Sequence, residues 1–293
     1  MHTKYRFLPL LLAALAPLAG AQVVTNMGGH IDIGIDNPVP IVHTGTAQGL
    51  LGDPQYKRYF SDVYARSIEG SSGTIEWVTD PIDRKSMVFR ASVVKPSTGY
   101  ARAEVSPRWE YTKTGKRWYA LSVLFPTWDA PNVDMIVWQL HTSQNTKLGE
   151  AVLSPPLDVV AKGRYLYLGM HANELSNKVS DPVHATKEGS SKQYFRIAAV
   201  ETGKWLCFVV AADWSHTPGS GAMKVWMGGK LVYEADKAFN SYISHPGNYL
   251  KTGLYVPGVS NMEEPQSLYM GYSYFGGENS TYAEMAAQTK CGA

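Results

Sequence analysis

Three short apolar stretches carry polar side chains at every second position, and through these the chain could do chemistry. The first, Tyr100-Ala-Arg-Ala-Glu-Val, holds Arg102 and Glu104; the second, Met135-Ile-Val-Trp-Gln-Leu-His, holds Gln139 and His141. The third, Tyr249-Leu-Lys-Thr-Gly-Leu-Tyr, holds Tyr249, Lys251, Gly253 and Tyr255. In a strand, residues i and i+2 share a face. Each stretch therefore lays a polar row on one side and a small or apolar row on the other: Ala101 and Ala103, Trp138 and Leu140, Leu250 and Leu254. Gly253 within a polar row leaves room for something to approach. Singly, each row has an ordinary reading, as a solvated Arg–Glu pair, a polar sheet face or an exposed strand. Together they supply a carboxylate-binding cation, an amide, an imidazole and a phenol.

That set suits β-elimination on a uronic acid polymer. The C5 proton beside a uronate carboxylate is barely acidic until the carboxylate charge is neutralised by Arg, Lys, Gln or Asn, which stabilises the developing enolate. A His or Tyr held in reach can take the proton. Tyr can protonate the leaving glycosidic oxygen, and the reaction needs no metal or organic cofactor. His171 follows Tyr165 and Tyr167 on one strand and could line the same cleft, or serve structure at a strand end. No G-x-S-x-G elbow, H-E-x-x-H helix or phosphate-binding loop is spelled. The E-x-D-x-x-E arrangement of sandwich-fold glycosidases is missing too. Asn279-Ser-Thr281 spells a glycosylation sequon and reads as an unmodified loop.

The elements that must hold these rows are strands. Short runs rich in Val, Ile, Tyr, Trp and Phe, cut by Gly, Pro, Asn and Asp, predict strands near 73–80, 86–94, 100–105, 117–125, 134–142, 156–161, 164–171, 193–200, 204–214, 222–228, 230–235, 249–256 and 267–275. Gly228-Gly229 marks a tight hairpin. A short helix is expected within 49–69, a loop-rich lead-in over 22–48 and a long polar loop over 173–192. Many closely spaced strands without a composition break predict an all-β, antiparallel sandwich or jelly roll forming one domain.

Composition removes other classes. The 293 residues are 44% hydrophobic and 18% charged, with a formal net charge of +2. This excludes a disordered chain and a nucleic-acid binder working through bulk positive charge. Residues 1–21 read as a secretory signal peptide: Lys4 and Arg6 lead an apolar run that ends in Ala19-Gly20-Ala21. Cleavage after Ala21 removes two of the 27 basic side chains and none of the 25 acidic ones, so the mature charge is zero. The mature protein, residues 22–293, is expected to be secreted or periplasmic, soluble, monomeric and without a membrane span. Export gives meaning to the two cysteines, Cys207 and Cys291, which either form a disulfide or leave Cys207 as a buried thiol in an apolar strand.

In order and spacing the three rows resemble the jelly-roll polysaccharide lyases, the alginate, glucuronan and heparin lyases that share a concanavalin-like sandwich. Alginate lyases of that type carry R-x-E-L-R, Q-I-H and Y-F-K-A-G-x-Y strands. The matches are Arg102-Ala-Glu104-Val, Gln139-Leu-His141 and Tyr249-Leu-Lys251-Thr-Gly253-Leu-Tyr255. Trp77-Val-Thr-Asp-Pro81, Trp118–Pro126, Ser154-Pro-Pro-Leu157 and Val225-Trp-Met-Gly-Gly-Lys230 extend the likeness over about 73–275. The resemblance implies that Gln139, with Arg102, neutralises the uronate carboxylate. It makes His141 the base, or otherwise a neutraliser, and Tyr255 the acid and an alternative base. Lys251 and Glu104 would orient these groups or bind sugar, and Tyr249 is a weaker candidate. The family's second Arg falls on Ser106; Arg108 could compensate, out of register. The implied partner is an acidic polysaccharide. Relatives sometimes hold a structural calcium, and the loops carry enough Asp and Asn for one, although the chain has no EF-type ligand spacing. Two rival readings are a non-catalytic carbohydrate-binding sandwich and, more distantly, a glycoside hydrolase.

Overall fold

The computed structural model describes residues 23–26, 64–68, 73–95, 99–107, 114–143, 154–173, 190–215, 219–238, 247–257, 262 and 264–292. Two antiparallel sheets face each other. One runs β10 (Ser190–Ala199), β9 (Tyr165–Asn173), β8 (Leu157–Lys162), β7 (Met135–Ser143), β14 (Gly247–Val256), β5 (Ala101–Pro107), β2 (Tyr64–Ile68). The other runs β13 (Lys230–Ala238), β12 (Gly221–Met227), β11 (Leu206–Trp214), β6 (Gly115–Leu124), β15 (Gln266–Met270), β4 (Met87–Val93), β3 (Gly73–Thr79). To this second sheet β16 (Tyr274–Gly276) adds on β6, and β1 (Val23–Asn26) on β16. This is the antiparallel sandwich that the strand pattern predicts.

Alternation builds the core. Ala101 and Ala103, Trp138 and Leu140, and Leu250 and Leu254 all point between the sheets and are inaccessible to solvent. Trp138 meets Phe208 of the opposite sheet with ring centroids 5.6 Å apart. Each leucine among them contributes roughly 1.5–3 kcal/mol by leaving water, and each alanine less. The inward rows thereby turn the polar rows to the sheet's other, outward face.

Some expectations are corrected. Residues 64–68, the last part of the stretch expected to hold a short helix, form β2 on β5; residues 49–63 lie outside the described residues. The segment 267–275 breaks at Gly271–Ser273 into β15 and β16. Part of the lead-in is strand β1. A helix that sequence reading missed, α1 (Tyr282–Ala287), starts at Thr281. Thr281 caps the Glu284 amide while the Glu284 carboxylate returns to the Thr281 amide, closing a capping box. The sequon threonine is thus a helix cap. Cys207 and Cys291 form a disulfide with Cα atoms 6.0 Å apart, fastening the tail after α1 to β11.

Candidate active site

Adjacent strands β5, β14 and β7 bring the three polar rows together. Across β14 and β7, Lys251 lies opposite Gln139 and Tyr249 opposite His141. Across β14 and β5, Gly253 lies opposite Glu104 and Tyr255 opposite Arg102. Gly253 has φ of +146°, and a side chain there would meet the Ala103 carbonyl oxygen at 2.2 Å and Glu104 Cα at 2.7 Å. The room foreseen at this glycine is taken by the protein's own neighbouring strand. Only glycine lets β14 come this close to β5.

Glu104 is the hub. Its carboxylate is fully buried. It accepts from Gln139 Nε2 at 2.5 Å and from Lys251 Nζ at 2.8 Å, and Arg102 Nε lies 3.4 Å away. A buried carboxylate without such donors would be strongly disfavoured. The bond to Glu104 also fixes the amide's orientation, because only its NH2 end can face a carboxylate. Gln139 Oε1 is buried and accepts no hydrogen bond among the described residues. The Arg102 guanidinium lies over two rings, 4.3 Å from the centroid of Tyr255 and 5.1 Å from that of Tyr100. This cation–π seat holds the cation against the Tyr255 phenol.

His141 has a defined tautomer. Its Nδ1 lies 2.5 Å from the Thr142 carbonyl oxygen. A carbonyl can only accept, so Nδ1 carries the hydrogen and Nε2 keeps its lone pair. Burial, and then the ammonium of Lys251, lower the imidazole from its ordinary 6.5 to about 4. The ring is therefore neutral at neutral pH, and its Nε2 can take a proton.

His171 sits elsewhere on the same face. It pairs with Asp158, with Nε2 and Oδ2 3.7 Å apart and both residues buried. Asp158 stands opposite Gln139 across β7 and β8. Sequence reading passed over Asp158, although a lone Asp inside Leu157-Asp-Val-Val-Ala161 is the same kind of signal as the rows it used. Arg108 lies outside the described residues, and so do His216 and His245. Among the described residues, no three His, Cys, Asp or Glu side chains gather as a metal-binding set. No helix among them is long and apolar enough to cross a membrane.

A model of the family described as "Polysaccharide lyase" matches residues 54–273. The chain belongs to the polysaccharide lyase family. Membership settles the rivalry with a non-catalytic sandwich in favour of an enzyme. The matched span contains every residue of the Glu104 hub, together with His141 and Tyr255. Among solved structures, this lyase resembles an endo-β-1,4-glucuronan lyase from the fungus Trichoderma reesei. The two are 15% identical, with a TM-score of 0.62, over 75% of this chain and 92% of that one. It also matches alginate lyase A1-II', a member of polysaccharide lyase family 7, at 15% identity and a TM-score of 0.47, over 73% and 95% of the two chains. At 15% identity the likeness to the glucuronan lyase speaks to the sandwich fold alone. No curated protein sequence matches the chain.

Proposed function

We propose that this lyase is secreted and cleaves an unsulfated uronan, alginate or glucuronan, by β-elimination. The observation that carries the reading is His141: a neutral imidazole in one tautomer, beside an anchored amide and a phenol seated on a guanidinium. Arg102 receives the uronate carboxylate and spreads the charge of the developing enolate, with Gln139, buried and held by Glu104, behind it. His141 Nε2 takes the C5 proton. The C5–H electron pair forms the C4–C5 double bond as the C4–O bond breaks. Tyr255 gives its phenolic proton to the departing glycosidic oxygen. Lys251 and Glu104 position these groups rather than meeting the sugar, since both are buried. The apolar leader ending at Ala21 supports export, and the disulfide fits an oxidising compartment. A mature charge of zero favours an unsulfated polymer over a heparin-like one, which would call for a strongly basic cleft.

The test is a screen of the purified mature chain against alginate, glucuronan, hyaluronan and heparin. The readout is ultraviolet absorbance of the unsaturated uronyl product. The expected result is a signal on alginate or glucuronan. A signal on the sulfated polymer alone would overturn the substrate, and reducing ends without absorbance would overturn the reaction. His141→Ala and Tyr255→Phe should each lower turnover roughly 10²- to 10⁴-fold with melting temperatures near wild type. Near-normal turnover in both would remove these roles.

A further inference from the structure

The polar face does not end at Gln139. Strand register carries the row Lys251–Gln139 onward through Asp158, Gly169 and Tyr194, so it crosses five strands from β14 to β10. At its far end the surface changes character. Tyr194 and Tyr165 are 42% and 38% exposed. Arg196, two residues along β10 from Tyr194 and opposite Tyr167, lies with its guanidinium 4.8 Å from the centroid of the Tyr165 ring. Among the described residues Arg196 forms no ion pair. The nearby cation Lys162 is neutralised by Asp134 at 2.9 Å. Beneath this platform Asp158 and His171 are buried, and the His171 ring meets Tyr194 edge-on at 5.7 Å. A side chain on Gly169 would strike Asp158 Oδ1 at 2.1 Å and Tyr194 Cε1 at 2.8 Å. The glycine therefore lets the buried pair pack tightly under the tyrosine and fix its ring.

We propose that Arg196, with Tyr165, Tyr167 and Tyr194, forms a distal subsite that binds a second uronate of the same polysaccharide chain. This rests on the uronan reading above. The guanidinium, without a carboxylate partner among the described residues, takes the sugar carboxylate, and the exposed aromatic rings take the pyranose faces. Neighbouring strands are about 4.8 Å apart, so β10 lies about 14 Å from β7. That distance takes several linked sugars rather than one. Arg102 on β5 and Arg196 on β10 then hold a chain near its two ends with the reacting bond between them, which makes the enzyme endo-acting.

The experiment compares kcat/KM for uronan polymer with that for the shortest oligosaccharide the wild type cleaves. Arg196→Ala should lower the polymer-to-oligosaccharide ratio about tenfold, the scale of one cation lost from an aromatic seat. Arg196→Lys should restore part of it. Tyr194→Ala should act in the same direction, and Tyr194→Phe should recover it. Lys224→Ala, on the other sheet, should leave the ratio alone. An equal loss on both substrate lengths, with wild-type melting temperature, would overturn the subsite while leaving the lyase reading intact. Should wild type cleave no uronan, the lyase reading fails instead. Calorimetry with a uronan hexasaccharide then decides the subsite, and equal affinity of wild type and Arg196→Ala overturns it. Product patterns give a second readout, since release of only the smallest unsaturated fragment from the outset would contradict endo action.

Discussion

Two lysine–glutamate pairs bridge neighbouring strands in opposite surroundings. Lys224 meets Glu234 across β12 and β13 with the side chains 45% and 42% exposed; Lys251 meets Glu104 across β14 and β5 with 6% and 0% exposed. The first pair sits in water, where attraction barely exceeds the cost of holding two flexible chains together. The second has lost its water, and desolvation is offset only because one carboxylate serves two firm donors and a nearby guanidinium. The same chemistry is solubilising surface in one sheet and positioning machinery in the other. Burial decides which, and buried charge of this kind marks a site.

The sharpest way to break that contrast is Glu104→Ala. It strands the Lys251 ammonium and frees the Gln139 amide, with a loss of about 3–5 kcal/mol of stability and of nearly all turnover. Urea denaturation monitored by tryptophan fluorescence measures the first loss. Where that variant does not fold, Glu104→Gln keeps the shape and removes the charge, and it should still lower turnover more than it lowers the melting temperature. A Glu104→Gln enzyme with full activity would mean that the hub does nothing for the site.

The other sheet is held by a covalent link rather than by its charges. The disulfide closes a loop of 84 positions, and replacing Cys207 and Cys291 with Ala should cost about 4.5 kcal/mol through the added freedom of the unfolded chain. The tail's Lys290, 2.8 Å from Asp80 and 3.2 Å from Asp83, ties it to the turn after β3 as well. Activity at low temperature should hardly change, because the polar rows lie on the opposite sheet. A large loss of turnover without loss of stability would show that the two sheets are not independent in this sense.

A smaller effect tests the electrostatics. The acidic limb of kcat/KM reports the free enzyme, and His141 protonates at about 4. Activity should thus hold as pH falls through 6.5 and drop only near 4, when Nε2 gains its proton. Stability runs the same way. The unfolded imidazole takes a proton near 6.5 and the folded one resists, so stability declines as pH falls from 6.5 toward 4. Lys251→Met removes the leading electrostatic cause of the lowered value, so the acidic limb should move upward, by on the order of one pH unit. A merely structural lysine would leave that limb in place.

How much of this was legible in the sequence follows from the same contrast. Alternation announces β5, β7 and β14 because one face must be apolar, so Arg102 with Glu104, Gln139 with His141, and Lys251 with Tyr255 could each be placed on one face of their own strand; that the three strands adjoin was implied only by the family resemblance. Spacing could not tell that Glu104 and Lys251 would be buried, because burial comes from neighbouring strands, not from i and i+2. Gly253 was read as an open space when it is a close strand contact. Tyr64–Ile68 carries a mixed pattern, and only pairing with β5 makes it a strand. The capping box at Thr281 and Glu284 was spelled out, yet a six-residue helix is too short to show periodicity. Arg196 and Tyr194 looked like any exposed strand until register aligned Tyr194 with Gln139.

The smallest effect is the control on which the contrast rests. Lys224→Ala removes a pair with the same atoms as the buried one, and thermal unfolding should register no more than about 0.5 kcal/mol. Added salt should erase even that, since exposed charges are screened within a Debye length of about 8 Å at physiological ionic strength. The Glu104 variants should keep most of their deficit in the same salt, because water and ions do not reach that carboxylate. If salt rescued both variants equally, burial would not be what separates the two pairs. The polar face would then have to be treated as one more solvated surface.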